Sequence, residues 1–282
     1  MDGLDAATRE AGYSLIRRID IGEARLFRDM TAEEIADLVC RFFRIREATG
    51  VYVSFPFHGI TRIQISFTDD ECVEVDEIAR LLTQSLEMAR SEKAMVWVRN
   101  ENRLIIDGLQ TRMSFNPPGV NNSHYAAVEY IMRRDRVGKR PLQKLSVRVF
   151  EVDRLDAYLR MLDEVMDFCR PPPRYAERRE EYRRRFRALG AARSFEAFWR
   201  DDDLVGLYWR VGSEIDTMAV GRPWQRKGFG TTILFRAIHM ALANTDATFA
   251  HLYCVDWNEA GRRFYEACGM EQSGHSYVLS IG

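Results

Sequence analysis

Shifted against itself by 156 positions, the sequence repeats its own apolar pattern without a gap. The stretch "AMVWVRNEN" (94–102) falls on "AHLYCVDWN" (250–258), which sets Asn102 on Asn258. In the same register "IARLLTQSLEMAR" (78–90) falls on "LFRAIHMALANTD" (234–246), setting Ile78, Leu82 and Leu86 on Leu234, Ile238 and Leu242. "TRIQISF" (61–67) falls on "TMAVGRP" (217–223). Alternating apolar residues specify a strand, and apolar residues three and four apart specify a helix, so the repeated unit is an α/β segment. A period of this length exceeds the 20–50 residues or so of solenoid repeats and suits a whole domain used twice. Identity in this register is low. We read the chain as an α/β protein with a mixed sheet and two tandem halves, 1–140 and 145–282, an unrelated α/β cap being the rival account of the first half.

The second half reads as strand ("LSVRVFEV"), two helices ("DRLDAYLRMLDEVMDFC" and "RPPPRYAERREEYRRRFRAL"), and a hairpin turning at its aspartates ("SFEAFWRDDDLVGLYWRVG"). Then come a strand ("EIDTMAV"), a helix ("TTILFRAIHMALANT"), a strand ("FAHLYCVDW"), a helix ("NEAGRRFYEACGM") and a final strand ("HSYVLS"). Asn258 is placed to cap the last helix and Gly269 to end it. "NPPGVNNS" (116–123) and "RVGKRPLQK" (136–144) read as connectors, and the boundary is expected at the second.

Between the "EIDTMAV" strand and the next helix lies "PWQRKGFGTT" (223–232). Free backbone amides at a helix N-terminus, with glycines that let a ligand come close and two cations, suit a phosphate or pyrophosphate. The turn matches neither GxxxxGK[ST] nor GxGxxG, so the ATP P-loop and the dinucleotide fingerprint are both excluded. The first half has "DDECVE" (69–74) in the same register, and Leu109 where the second half has Tyr265. Asp69, Asp70, Glu71 and Glu74 would repel an anion.

"MAVGRPWQRKGFGTTIL" resembles the acetyl-CoA-binding motif of the GNAT superfamily of N-acetyltransferases, [RQ]-x-x-G-x-[GA] after a strand, with Gln225, Gly228 and Gly230 at the specified positions. "NEAGRRFYEACGM" resembles that family's next motif through Asn258, Tyr265, Gly269 and Met270. The resemblance covers roughly the second half of the chain. It implies a GNAT-like fold there, with the acyl-CoA arm pairing beside Met218, Ala219 and Val220 as an added strand. The amides of Arg226, Lys227, Gly228, Phe229, Gly230 and Thr231 would cradle the pyrophosphate, and Asn258 would contact the arm. The thioester would sit where the fourth and fifth strands of the domain part, and Tyr265 would be the general acid. The resemblance further implies acetyl-CoA as a co-substrate and a primary amine as an acceptor that attacks directly.

Some relatives carry a Glu five residues before the Asn; this chain has Tyr253 there, which leaves Glu214, Asp216 and Asp256 as candidate bases. Two other functions stay open: an acyl-CoA sensor without turnover, and a site for another phosphate-bearing ligand such as a nucleotide. The first half is expected to be non-catalytic.

Composition narrows the partners. With 41 basic and 42 acidic side chains there is no global field to draw nucleic acid or an anionic membrane. No apolar run approaches the length of a membrane span, and "MDGLDAATRE" lacks a secretion signal's features, so a cytoplasmic protein is expected. Cys40, Cys72, Cys169, Cys254 and Cys268 form no CxxC and no cluster with histidine, which argues against a metal site or a disulfide framework. Cys254 and Cys268 read as small core residues, and His239 and His251 as structural. Trp199, Trp209 and Trp224 read as core or rim. The arginine-rich helix would suit an acidic acceptor or, more simply, a solvated face with pairs such as Glu180–Arg184 and Glu181–Arg185. An oligomer is compatible with the sequence, which does not name the amine.

Overall fold

The computed structural model describes the backbone of residues 6–7, 10–11, 14–15, 39–45, 48–57, 60–71, 73–89, 94–99, 101–112, 123–138, 143–169, 172–243 and 247–281. Cys72, the side chains of Cys40 and Leu86, and most of the two connectors lie outside the described residues. Two compact units are found: Met1–Glu129 with Val255–Trp257 and Ser273–Gly282, and Tyr130–Cys254 with Asn258–Gln272.

In the first unit, β1 (Val39–Ile45), β2 (Ala48–Phe57) and β3 (Ile60–Phe67) form an antiparallel meander. Helix α1 (Val75–Ala89) then crosses to β4 (Ala94–Arg99), which runs parallel to β3, as a helical crossover permits. Helix α2 (Arg103–Arg112) follows, and then β5 (Ser123–Arg133), whose first seven residues belong to this unit. The strand beside β4 is β11 (Glu271–Ile281), from the far end of the chain, antiparallel from Ser276↔Arg99 to Ile281↔Ala94. Ile63, Ile65 and Phe67 alternate onto one face and pack with Ile78, Leu82, Ile105, Ile106 and Leu109 of the helices.

In the second unit the strand order runs from the last four residues of β5 through β10 (Phe249–Val255), β9 (Glu214–Val220), β8 (Asp203–Val211) and β7 (Phe195–Arg200) to β6 (Ser146–Arg148). Helices α3 (Leu155–Val165), α4 (Arg179–Ala191), α5 (Phe229–Ala243) and α6 (Glu259–Ala267) complete it. Phe186, Phe195, Trp199 and Trp209 centre one core. Burying each tryptophan is worth roughly 4–6 kcal/mol, from about 150–250 Å² at 25 cal/mol per Å². Trp224 is half-buried, and Cys254 and Cys268 are core residues.

Elements of the two halves recur in the register set by the sequence. β1, β2, β3, α1, β4 and α2 each have a counterpart (β7, β8, β9, α5, β10, α6) beginning within two residues of the 156-position shift. The final strands depart from it: β11 starts at Glu271, whereas the shift from Ser123 would give 279.

Three local expectations differ. β6 is three residues long, because only Ser146–Arg148 finds partners on β7; Val147 and Val149 stay exposed at 43% and 53%. On α4 the acidic residues pair three rather than four residues away, Arg178 with Glu181 and Arg183 with Glu180, while Arg185 reaches Asp216 of β9 instead. His239, one of the apolar-context histidines, is exposed on α5, whereas His251 is buried.

Candidate active site

The turn after β9 starts with a strand edge that lacks a partner. β9 pairs with β8 through Gly206↔Val220, Leu207↔Ala219 and Tyr208↔Met218, but with β10 only at Glu214↔His251. Beyond that point the parallel pair separates, so Met218 to Val220 have no strand partner on the β10 side among the described residues. Gly206 makes the sheet tight here: a Cβ on it would come within 2.5 Å of the Ala219 carbonyl and 2.6 Å of Ile233. The Gln225 amide folds back to donate to the Val220 carbonyl at 2.9 Å, which closes the loop on itself.

Arg226 and Gly228 take left-handed backbone angles, φ 59° and 84°. This curls the chain so that successive N–H groups of 226–231 line the N-terminus of α5. No described group accepts a hydrogen bond from any of these amides; the first in-helix bond is Thr232 N–H to the Gly228 carbonyl at 3.3 Å. Six such donors at the positive end of a helix dipole make a turn whose chemistry suits an anion. Phe229 anchors it, buried and edge-on to Trp224 at 5.5 Å. Gln143 spans the rim: its N–H donates to Thr232 Oγ1 at 2.9 Å and its side chain to the Lys227 carbonyl at 3.4 Å. Sequence reasoning missed Gln143, which no motif marks.

Asn258 caps α6, Oδ1 accepting from Gly261 N–H at 3.0 Å. Its Nδ2 donates to no described residue, so the same amide retains a donor for a ligand. Tyr265 stands on α6 among rings, 5.4 Å from Phe264 and 5.6 Å from Tyr130. Its hydroxyl bonds to no described residue. Burial, with Cys254 and Cys268 nearby, raises its pKa above the ordinary tyrosine value, so the proton stays on at neutral pH. Met218, Val220, Gln225–Thr231, Asn258 and Tyr265 all belong to the second unit.

Of the candidate bases, Asp216 is engaged: one carboxylate oxygen accepts from Trp209 Nε1, Arg185 at 3.1 Å and Thr217 at 3.3 Å. Glu214 opens β9 and is its residue paired with β10. Asp256 belongs to the first unit, where its N–H donates to the Ala126 carbonyl at 3.0 Å. Among the described residues no group of three His, Cys, Asp or Glu side chains could hold a metal, and no helix is long and apolar enough to cross a membrane.

The corresponding place in the first unit is closed. β3 and β4 pair continuously from Thr61↔Ala94 to Ile65↔Val98. Asp70 accepts from Leu104 N–H at 2.8 Å and Ile105 N–H at 3.3 Å, so an acid caps α2 from the loop that matches the cradle. Leu109, at the Tyr265 position, is buried in the core.

A parted parallel strand pair, a glycine turn with unaccepted amides at a helix N-terminus and a tyrosine on the last helix belong to one α/β unit. Residues 159–270 match the model of the acetyltransferase (GNAT) family. Solved structures share the fold over nearly the whole chain. A GCN5-related N-acetyltransferase from Sphaerobacter thermophilus is 13% identical with a TM-score of 0.54, covering 97% of this chain and 92% of its own. A Drosophila protein solved by X-ray crystallography is 9% identical with a TM-score of 0.58, covering 99% and 97%. A functionally unknown conserved protein of Staphylococcus epidermidis is 12% identical with a TM-score of 0.57, covering 93% and 98%. At these identities the likeness is one of fold. No curated protein matches the chain in sequence.

Proposed function

We propose that the second unit is an acyl-CoA-dependent N-acyltransferase that uses acetyl-CoA and a primary amine. The observation that carries this reading is the run of six unaccepted amides from Arg226 to Thr231, directly after a strand edge that β10 leaves open. The residues present fit the co-substrate. The curled amides suit a pyrophosphate, the edge of Met218, Ala219 and Val220 suits a pantetheine amide pair, and Asn258 Nδ2 can donate to the arm. The thioester supplies the activated acyl carbon for the amine.

The chain's own work is positioning and proton control. A backbone N–H near Val220 polarises the acyl carbonyl. Tyr265, kept protonated by burial, donates to the departing sulfur, whose free thiol pKa near about 8.5 makes it a fair leaving group once protonated. The tandem halves, 1–140 and 145–282, arose by duplication, and the first half binds no CoA: its strand pair is zipped, and Asp70 occupies the loop. One active site per chain follows.

A sensor reading has one observation in its favour, the engagement of Asp216 by Trp209 and Arg185, which removes one base. Thermal melts with acetyl-CoA, CoA and ATP test the binding class. The CoA compounds should raise Tm and ATP should not; absence of a CoA response sinks both readings. Free-thiol release across an amine panel then distinguishes them, since a sensor releases none above the background hydrolysis.

A further inference from the structure

Resting on the acyltransferase reading, we propose that Tyr130 is the positioning residue for Tyr265, fixing from strand β5 the direction in which the Tyr265 hydroxyl points.

Helix α6 needs such a device. It is nine residues long and none of its residues is fully buried, so core packing alone sets its rotation about its own axis only loosely. Tyr265 adds no anchor of its own, because its hydroxyl bonds to no described residue. Tyr130 supplies both missing constraints. It is wholly buried at 0% exposure. Its hydroxyl donates to Glu266 Oε1 at 2.8 Å, and Arg262 Nε donates to the same hydroxyl oxygen at 3.4 Å. Arg262 and Glu266 are four residues apart, on successive turns of one face, so a single strand side chain holds two turns of the helix at once. The helix can neither roll nor slide without losing one of these bonds.

The ring does the rest. Tyr130 and Tyr265 meet at 5.6 Å between centroids, tilted by 44°, and Tyr265 also meets Phe264 at 5.4 Å and 60°. Phe264 in turn stands against the cradle helix, where a Cβ on Gly230 would come 3.3 Å from it. An aromatic row therefore runs from Gly230 through Phe264 and Tyr265 to Tyr130. The cradle sets one end of the row and the hydroxyl bonds on α6 set the other. With its ring so held, Tyr265 has one remaining freedom, rotation of the O–H bond, and that is the motion proton donation requires. Tyr130 lies before residue 145, so an account of the second half by sequence alone leaves it out.

The test uses full-length Tyr130→Leu, Tyr130→Phe, Tyr265→Phe and the double variant Tyr130→Leu/Tyr265→Phe, assayed by thiol release with acetyl-CoA and an amine accepted by the wild-type protein. Tyr130→Leu should lower kcat by about 10- to 100-fold, the scale of a small misplacement at a reacting centre, with KM for acetyl-CoA within about twofold. Tyr130→Phe keeps the ring, loses the helix bonds and should fall in between. The double variant should be no slower than Tyr265→Phe, because the two residues act through one proton. Wild-type kcat in Tyr130→Leu, or losses that multiply in the double variant, overturns the proposal while leaving the acyltransferase reading intact. Full turnover in Tyr265→Phe removes the acid assignment and this inference with it. Should Tyr130→Leu fail to fold, Tyr130→Phe and Glu266→Gln carry the test, and unchanged kcat in both overturns it.

Discussion

The carboxamide of Asn102 holds both backbone groups of Phe67, Oδ1 accepting from the N–H at 2.9 Å and Nδ2 donating to the carbonyl at 3.0 Å. Asn258, 156 positions further on, turns instead to its own helix and leaves Nδ2 without a described acceptor. One residue type thus seals the strand end in the first unit and leaves a donor at the open strand pair in the second. Asn102→Ala should cost roughly 2–6 kcal/mol, since it strands two backbone groups in a buried place at about 1–3 kcal/mol each. Urea unfolding measures the loss. KM for acetyl-CoA should not move, and a raised KM would mean that the first unit's strand end shapes the CoA site.

Arg226 holds φ 59°, a conformation that costs a residue with a side chain about 1–2 kcal/mol. Arg226→Gly should therefore raise the unfolding free energy by about 1 kcal/mol while weakening CoA binding several-fold through loss of the cation. Tm and Kd should therefore both rise in the same variant. A fall in Tm with a raised Kd would show that the turn is unstrained.

Gly228 at φ 84° makes the converse case. Gly228→Glu adds a strained backbone, a side chain beside Gln143 and a negative charge in the cradle, so calorimetric CoA binding should disappear with the fold intact by circular dichroism. Retained binding would move the pyrophosphate elsewhere.

Buried tyrosines set the alkaline limit of stability. Desolvation pushes Tyr158 up to about 12 and raises Tyr175, Tyr208 and Tyr265 as well. The unfolded chain releases these protons near about 10, so their contribution is complete below that pH and is lost as pH climbs towards the folded values. Tm should stay level to about pH 9 and then fall, with the 295 nm phenolate band of these residues appearing together with unfolding. The Tyr265 step of turnover likewise gives no alkaline limb below about pH 10. A limb near neutrality that disappears in Tyr265→Phe would contradict that assignment.

Arg236 of α5 clamps the buried carboxylate of Glu196 through two bonds, at 2.8 and 2.7 Å, and Tyr208 donates a third at 2.8 Å. Arg236→Met leaves that carboxylate without its cation. The cost should be roughly 2 kcal/mol, below the 3–5 kcal/mol or so of a fully buried pair because the Arg236 side chain is 42% exposed. Glu196→Gln should cost less, since Tyr208 keeps an acceptor. Equal losses in chemical denaturation would show that the charge is immaterial there.

Much of this molecule was legible in one dimension because its determinants are local. The alternation in "TRIQISF" and the helical spacing of Ile78 and Leu82 set strand and helix without reference to anything distant, and the 156-position register read from 61–67, 78–90 and 94–102 is kept by six elements of the structure. Gln225, Gly228 and Gly230 announced the turn, because φ 84° and close backbone approach are demands that glycine answers within a few residues. Asn258 could be placed as a cap for the same reason. Pairings across the sheet had no such trace. That β11 lies beside β4, that β9 and β10 part after one pair, that Asp216 is taken by Trp209 and Arg185, and that Tyr130 meets Tyr265 all depend on which edges meet after collapse. Hydrogen bonding between strands is indifferent to sequence separation and side-chain contact follows it, so the sequence determined the elements and the glycine turn while the tertiary structure decided which residues face Tyr265.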